Sequence, residues 1–147
     1  MAVGAPLAAA CIRLGNFFNS EIIGRPSTVP WVVIFARVDT RPRHPAMLYE
    51  AAAYLVIFAT MVLLEQRTTL RERRGALTGL LLVLVFGVRF AIEFLKEPQE
   101  AFEAALPLDM GQLLSLPVVL IGVLLLSAAY FRSSSGKPAR ETPGRSG

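Results

Sequence analysis

A run of polar and charged residues interrupts an apolar stretch near the start of the chain. Residues 13–25 read RLGNFFNSEIIGR, which sets two arginines, two asparagines and a glutamate among apolar neighbours. Such groups are costly to bury unless they face one another or a polar ligand. A helix would place the polar residues of this run on one face, because residues three and four apart are helix neighbours. That face would contain Arg13, Asn16, Phe17, Ser20, Glu21 and Gly24.

This face has the chemistry of an anion site. A cation, an amide and a carboxylate together can bind a phosphate and fix its orientation, since the planar fork of arginine matches oxyanion geometry. The same groups could instead satisfy one another where two helices meet. The residue types alone leave both interpretations open.

Arg89 and Glu93 form a second ionisable set, near the end of an apolar stretch. One helical turn separates them, so they can pair with each other. An arginine below the membrane boundary is costly enough to need a partner. The pair could be purely structural. Alternatively, Arg89 and Arg13 together hold an anionic lipid headgroup, and the two glutamates, Glu93 and Glu21, orient them.

Composition places the chain in a membrane. Of its 147 residues, 54% are hydrophobic, and the mean hydropathy is +0.53, which is too apolar for an ordinary soluble domain. The net charge of +4 does not indicate nucleic acid, because the cations flank apolar stretches rather than alternating with aromatic residues. A single cysteine excludes an intramolecular disulfide framework and a multi-cysteine metal site.

The pattern predicts an all-α, polytopic membrane helical bundle with three spanning helices, an N-terminal partial helix and a polar outer-face segment. Residues 2–12 are apolar but too short to span alone. Residues 31–35 indicate a loop or short strand with an interfacial tryptophan. The predicted spans are residues 47–64, 76–95 and 112–131. Residues 1–131 would form the transmembrane domain, and 132–147 a disordered cytoplasmic tail.

Charge predicts the orientation of the bundle. Segments 65–74 and 132–147 are rich in Arg and Lys, which favours the cytoplasmic side, whereas the acidic 96–111 connection is expected outside. This places the polar face near residue 13, the 44–50 helix start and the Arg89 set at the extracytoplasmic side. The five arginines of residues 13–46 contradict the cytoplasmic preference of Arg and Lys, unless these arginines bind a ligand.

Four motifs carry a family resemblance. The run RLGNFFNSEIIG resembles the signature of the bacterial prolipoprotein diacylglyceryl transferases. RHPAMLYE, RFAIEF and MGQLLSLP, which begin at Arg43, Arg89 and Met110, resemble later motifs of that family in the same order. The resemblance covers residues 12 to 131.

The resemblance implies a transferase of the bacterial cytoplasmic (inner) membrane that needs no cofactor and no metal. It would transfer the diacylglyceryl group of phosphatidylglycerol to the lipobox cysteine thiol of a prolipoprotein, and release glycerol phosphate. By motif, Arg13, Glu21, Arg89 and Glu93 are the predicted catalytic residues. The predicted substrate-binding residues are Arg13, Asn16, Gly24, His44, Tyr49 and Arg89. His44 could instead be a loop or capping residue, and Tyr49 an interfacial anchor.

The chain also departs from the family pattern. Ile12 stands where the family has glycine, Val85 where an aromatic residue is common, and Lys96 where an arginine is expected. Family members are longer and carry an N-terminal half with a histidine-glycine-glycine motif that has no counterpart here, so we expect a C-terminal portion of the fold. The alternatives are a catalytically silent phospholipid-binding protein and a structural membrane subunit.

Overall fold

The fold is a bundle of α-helices with one small hairpin. The structure, a computed structural model, describes residues 2–68, 75–96 and 110–135. A 3₁₀ turn at Ala2–Gly4 leads into the first helix, and two short strands separate that helix from the others. The elements are α1 (Ala5–Asn19), β1 (Val33–Ile34), β2 (Pro42–Arg43), α2 (Ala46–Arg67), α3 (Ala76–Glu93) and α4 (Met110–Ser135).

The three predicted spans correspond to α2, α3 and α4. Each is long and apolar enough to cross a membrane, and the windows that would cross are mostly unburied within the bundle, as expected for helices whose outer faces meet lipid. The prediction of an all-α polytopic bundle is confirmed. Helix α4 continues to Ser135, past the predicted boundary at residue 132; the rest of the predicted disordered tail lies outside the described residues.

The N-terminal segment forms a short helix of its own. Pro6 lies in the first turn of α1, where its missing N–H costs nothing. The helix has 15 residues, or about 22 Å at ~1.5 Å per residue, which is shorter than a ~30 Å hydrocarbon core. It is therefore a partial helix, and it packs against α2.

The core lies where α1, α2 and α3 meet. It is formed by Ala10 of α1, three residues of one α2 face and Leu81 of α3. The α2 residues, Tyr54, Ile57 and Met61, recur at spacings of three and four, so they form one helical stripe. This core fixes α2 between its two neighbours.

Helices α3 and α4 cross at a pair of glycines. A Cβ built on Gly79 would lie 2.7 Å from the backbone oxygen of Gly122, and one built on Gly122 would lie 2.8 Å from that of Gly79. Small residues at such a crossing let two helix backbones approach closely, which drives helix association in a membrane.

We therefore expect Gly79→Ala to lower the free energy of unfolding by about 1–3 kcal/mol, the usual cost of forcing extra volume into a packed interface. Denaturation in a mixed micelle would measure it. Gly87→Ala on the same helix is the matched control, because a Cβ at that position would have nothing within 4 Å. Equal stabilities of the two variants would contradict the close crossing.

Between α1 and α2 the chain forms two short strands, of which β1 lies in residues 31–35, where the sequence indicates a loop or short strand. Strands β1 and β2 pair antiparallel, with Val33 opposite Arg43 and Ile34 opposite Pro42. Pro45 caps the start of α2, where a helix has free N–H groups and proline is tolerated. Residues 31–43 therefore form a hairpin at one end of the bundle, next to the first residue of a span.

Candidate functional site

Arg13 lies in the middle of α1 and faces the start of α2. Its Nε is 2.7 Å from Oε2 of Glu50, whose carboxylate is completely buried. With the Asn16 amide oriented to satisfy its neighbours, its oxygen accepts a hydrogen bond from Arg13 Nη1 at 3.0 Å, and its nitrogen donates to Glu21 Oε2 at 3.2 Å. Three residues of the predicted polar face, Arg13, Asn16 and Glu21, therefore lie together.

The continuous helix predicted for this face is wrong at its C-terminal end. Helix α1 ends at Asn19, and Ser20 adopts a left-handed conformation with φ 58°. The chain then turns back, and the Glu21 N–H donates to the Asn16 carbonyl at 2.9 Å. Glu21 thus reaches Asn16 from a turn rather than from a helix face, and Gly24 lies further along the loop.

Glu50 is the centre of an ion-pair network that connects three helices. Its second oxygen, Oε1, lies 2.8 Å from Lys96 Nζ, and Lys96 also pairs with Glu93 Oε2 at 3.0 Å. Arg13 and Lys96 compensate the charges of Glu50 and Glu93, and a buried carboxylate is costly without such compensation. Glu50 and Lys96 were not among the residues predicted for the site. The sequence features that could have identified them are a carboxylate at the start of a span and a lysine one turn after Glu93.

Of the two interpretations of Arg89 and Glu93, the structural one, an ion pair between them, is not found. Glu93 pairs with Lys96, and within the described ranges Arg89 makes no ion pair. The i,i+4 spacing permits the intrahelical pair, but Lys96 follows the end of α3 and folds back onto two carboxylates at once. Arg89 consequently keeps its charge uncompensated by any carboxylate in the described part of the chain.

Arg89 and Arg13 line one groove. The groove lies between α1 and α3, with Tyr54 of α2 in its wall, and the cavity at this end has a volume of about 170 Å³. Ala9, Val85 and Phe86 also line a neighbouring cavity of about 210 Å³, whose other lining residues are apolar. We call the two cavities together the α1–α3 groove. It has a cationic end and an apolar end, which suits a molecule with an anionic head and a hydrocarbon tail.

The carboxylate of Glu93 rests against the first turn of α4. A Cβ on Gly111 would lie 2.5 Å from the Glu93 carboxyl carbon, so only glycine leaves space for the carboxylate there. Gln112, buried beside it, donates to the Phe90 carbonyl at 3.4 Å. This explains the glycine and glutamine of the MGQLLSLP motif: they dock α4 onto the end of α3 that carries Glu93.

Gly24 holds the loop between α1 and β1 against two other segments. Its N–H donates to the His44 carbonyl at 3.2 Å, and it forms a β-bridge with Lys96. Next to it, the Arg25 N–H donates to the Leu95 carbonyl at 2.9 Å, and Arg25 Nε donates to the Lys96 carbonyl at 2.8 Å. The loop thereby fixes the backbone that carries Lys96. The role of Gly24 in substrate binding stays a prediction.

Gly24→Ala should open this bridge. The added Cβ would overlap the His44 carbonyl oxygen and lie 2.8 Å from the His44 Cβ, so we expect a loss of about 1–3 kcal/mol in the free energy of unfolding. Detergent-phase thermal unfolding would measure it. Gly15→Ala, a site with nothing within 4 Å, is the control, and an equal stability for both would show that the loop tolerates the side chain.

His44 and Tyr49 lie together, but not in the groove. His44 Nδ1 is 3.1 Å from the Tyr49 hydroxyl, which also accepts a hydrogen bond of 2.7 Å from Trp31 Nε1. Neither residue belongs to the described lining of the α1–α3 groove. The structure therefore separates these two predicted binding residues from Arg13 and Arg89.

Asp39 and Arg43 close the hairpin beside this cluster. Arg43 Nη2 lies 2.5 Å from Asp39 Oδ2, and Nη1 donates to the Gly24 carbonyl at 3.2 Å. The hydrogen bonds from Arg43 hold the pKa of Asp39 below its ordinary value of 3.8. Asp39 therefore stays ionised at neutral pH and remains bound to Arg43. Elsewhere, no three His, Cys, Asp or Glu side chains of the described residues converge as metal ligands.

Known proteins share this sequence and its motifs. A model of the prolipoprotein diacylglyceryl transferase family matches residues 1–128, which is most of the chain. The chain belongs to the prolipoprotein diacylglyceryl transferase family. Three relatives named phosphatidylglycerol–prolipoprotein diacylglyceryl transferase come from Bacteroides fragilis, Tolumonas auensis and Chloroherpeton thalassium; they are 48%, 50% and 51% identical to this chain.

These alignments cover 83–86% of this chain but only 46–48% of each relative. The chain spans about half the length of the curated relatives it matches. No solved structure matches it. Together with the three candidate spans, the family membership identifies a membrane-embedded protein.

The three residues that depart from the family pattern lie in the α1–α3 groove or in the ion-pair network of this diacylglyceryl transferase fold. Val85, at the position where the resemblance predicts an aromatic residue, lines both cavities of the α1–α3 groove. Lys96, at the position where the resemblance predicts an arginine, provides one ammonium to both Glu50 and Glu93; a lysine carries the charge of an arginine without its bidentate fork. Ile12 lines the cationic end of the groove.

Proposed function

We propose that this chain takes part in transferring the diacylglyceryl group of phosphatidylglycerol to the lipobox cysteine thiol of prolipoproteins. The α1–α3 groove supports the proposal most directly, because Arg13 and Arg89 share its cationic end while its other end is apolar. The phosphate of a phospholipid matches the cationic end of the groove, and its acyl chains match the apolar end. The relatives' names supply the reaction.

Arg13 and Arg89 are the residues that would hold the phosphate. Arg13 is oriented by Glu50 and Asn16, so its guanidinium is preorganised, and Arg89 contributes a cation without a carboxylate partner in the described ranges. Donors fixed beforehand in a site away from water stabilise charge that develops on a departing group. In the reaction that charge develops on the phosphate of the leaving glycerol phosphate.

The bond changes follow from the reaction. The thiolate sulfur attacks the glyceryl carbon and forms a thioether bond, while the bond from that carbon to the phosphate oxygen breaks and its electron pair leaves with glycerol phosphate. The thiol proton passes to a base that the described lining of the groove does not include, since His44 lies outside it. Glu50 pairs with Arg13 and Lys96, Glu93 pairs with Lys96, and Glu21 reaches Arg13 only through Asn16, so in this proposal the three carboxylates position the cations.

The proposed location is the bacterial inner membrane, with the site on the extracytoplasmic side and the C-terminus in the cytoplasm. Residues 65–74 contain four arginines against two glutamates, and Arg67 ends α2 at the opposite end of the helix from Glu50. Cationic connections are retained in the cytoplasm. Two variants of a Cys11→Ser chain, with a single cysteine at position 40 or at position 145, would test this orientation. A thiol reagent that cannot cross the membrane, applied to intact cells, should label position 40 and not position 145.

An assay of the purified chain in lipid nanodiscs tests the activity. With phosphatidylglycerol labelled in its diacylglyceryl group and a lipobox peptide, we expect a labelled thioether product that disappears when the peptide cysteine is replaced by serine. Binding of phosphatidylglycerol without any product would support the second candidate, a non-catalytic phospholipid-binding protein. That candidate is favoured by the groove lining, in which Arg13 and Arg89 can hold a phosphate while no carboxylate or histidine is among the described lining residues. If neither product nor binding is found, the remaining interpretation is a structural membrane subunit.

A further inference from the structure

The hairpin that precedes α2 exposes a surface that is both apolar and cationic. Trp31, Ile34 and Val38 are 59%, 57% and 50% exposed, and Arg37 and Arg41 are exposed among them. We call these five residues the hairpin outer surface. Large apolar side chains next to cations on an exposed segment are typical of a surface that meets a bilayer interface.

The inner side of the hairpin is fixed, so these residues cannot turn inward. Phe35 is buried, and its ring packs edge-on against Phe17 of α1 with 5.9 Å between centroids. Arg43 is buried on the same side and bound to Asp39 and Gly24. The opposite side, with Ile34 facing outward, is left without a protein partner in the described part of the chain.

The position of the hairpin matches the level of lipid headgroups. Its second strand ends three residues before the first residue of α2, which is a membrane span. Its tip contacts the last turn of α1, where Arg37 Nη1 lies 3.5 Å from the Phe18 carbonyl and the Phe18 ring is 74% exposed. Tryptophan and other aromatic rings favour this interface level.

The cations of the outer surface are available to a ligand. Among the described residues, the only carboxylate of the hairpin, Asp39, is held by Arg43, and the side chains of Arg37 and Arg41 have no ion pair. Phosphate groups of anionic lipids are the complementary charges at this level, and arginine binds them with its planar fork. Neither arginine lines the α1–α3 groove.

We propose that the hairpin outer surface is a second lipid-binding site, in which Trp31, Ile34 and Val38 insert into the interface of an anionic bilayer and Arg37 and Arg41 bind its phosphates. This goes beyond the proposed function, because the site is outside the groove and needs no reaction. It would concentrate anionic lipid beside the cationic end of the groove.

Trp31 is the only tryptophan of the chain, so its fluorescence reports on this surface alone. The full chain is reconstituted in nanodiscs that contain either phosphatidylserine or phosphatidylcholine with brominated acyl chains, at equal mole fraction. Bromine quenches only a nearby indole. We expect quenching by both lipids, with phosphatidylserine preferred by about fivefold for each arginine.

Phosphatidylserine is chosen because it is anionic but is not the lipid of the proposed reaction, so failure here is distinct from failure of the groove. Arg37→Gln with Arg41→Gln should abolish the preference and leave some quenching. Arg67→Gln with Arg132→Gln, which removes two cations at the other end of the spans, should leave the preference unchanged.

A Trp31 that is insensitive to brominated lipid and freely quenched by aqueous iodide would overturn the proposal, and would indicate a hairpin that docks another protein. Equal quenching by the two lipids would overturn the role of the arginines.

Discussion

Replacing Glu50 by alanine is expected to lower the free energy of unfolding by about 3–5 kcal/mol, the usual cost of removing one partner from a buried ion pair. The carboxylate has no exposed surface and lies within 2.8 Å of Lys96 and 2.7 Å of Arg13. Its removal leaves two cations partly buried, with Asn16 and Glu93 as their remaining partners. Chemical denaturation in mixed micelles would give the loss.

Two comparisons make this prediction specific. Glu21→Ala removes an exposed carboxylate that touches the network only through Asn16, so its effect should stay within about 0.5 kcal/mol. In a double-mutant cycle, Glu50→Ala combined with Lys96→Met should cost less than the sum of the two single changes, because the second removes a charge that the first left unpaired. Additive losses would mean that the two side chains are not coupled, and would contradict the network.

The spans, and a loop or short strand at residues 31–35, could be predicted because they depend on local signals, whereas strand β2 was not predicted. Long apolar stretches identify α2, α3 and α4, and the prolines near residue 30 rule out a continuous helix before the hairpin. The motif around Arg13 also identified Asn16 and Glu21 as its neighbours. These assignments need only the identity of residues that lie close together in the sequence.

The ion pairs could not be predicted, because they depend on where helices end and how they cross. Arg89 and Glu93 have the spacing of a helical pair, yet Glu93 pairs with Lys96, which reaches it after α3 has ended. Glu21 comes back to Asn16 only because Ser20 takes a left-handed conformation. Glu50 acquires its two cations from α1 and from the end of α3, over separations that no periodicity in the sequence records.

Arg89→Gln should weaken binding of phosphatidylglycerol by about tenfold to a hundredfold, the range expected for the loss of a hydrogen bond to a charged group, and leave stability nearly unchanged. The reason is that Arg89 lines the groove without an ion pair in the described part of the chain. Arg13→Gln should weaken binding to a similar degree but also destabilise the fold, since it removes a partner of buried Glu50. Titration of a short-chain phosphatidylglycerol into the detergent-solubilised protein, beside thermal unfolding of the same samples, separates the two effects.

The matched controls are a conservative change in the groove and a neutralised cation far from it. Arg89→Lys keeps the charge and loses the fork, so it should recover part of the affinity. Arg132→Gln lies at the opposite end of the spans and should bind as the unmodified chain does. Because the phosphate would bridge the two guanidinium groups, the double variant Arg13→Gln with Arg89→Gln should bind phosphatidylglycerol no more tightly than it binds a neutral phospholipid. Unchanged affinity in the double variant would exclude the groove as the lipid site, whatever the chain does elsewhere in the membrane.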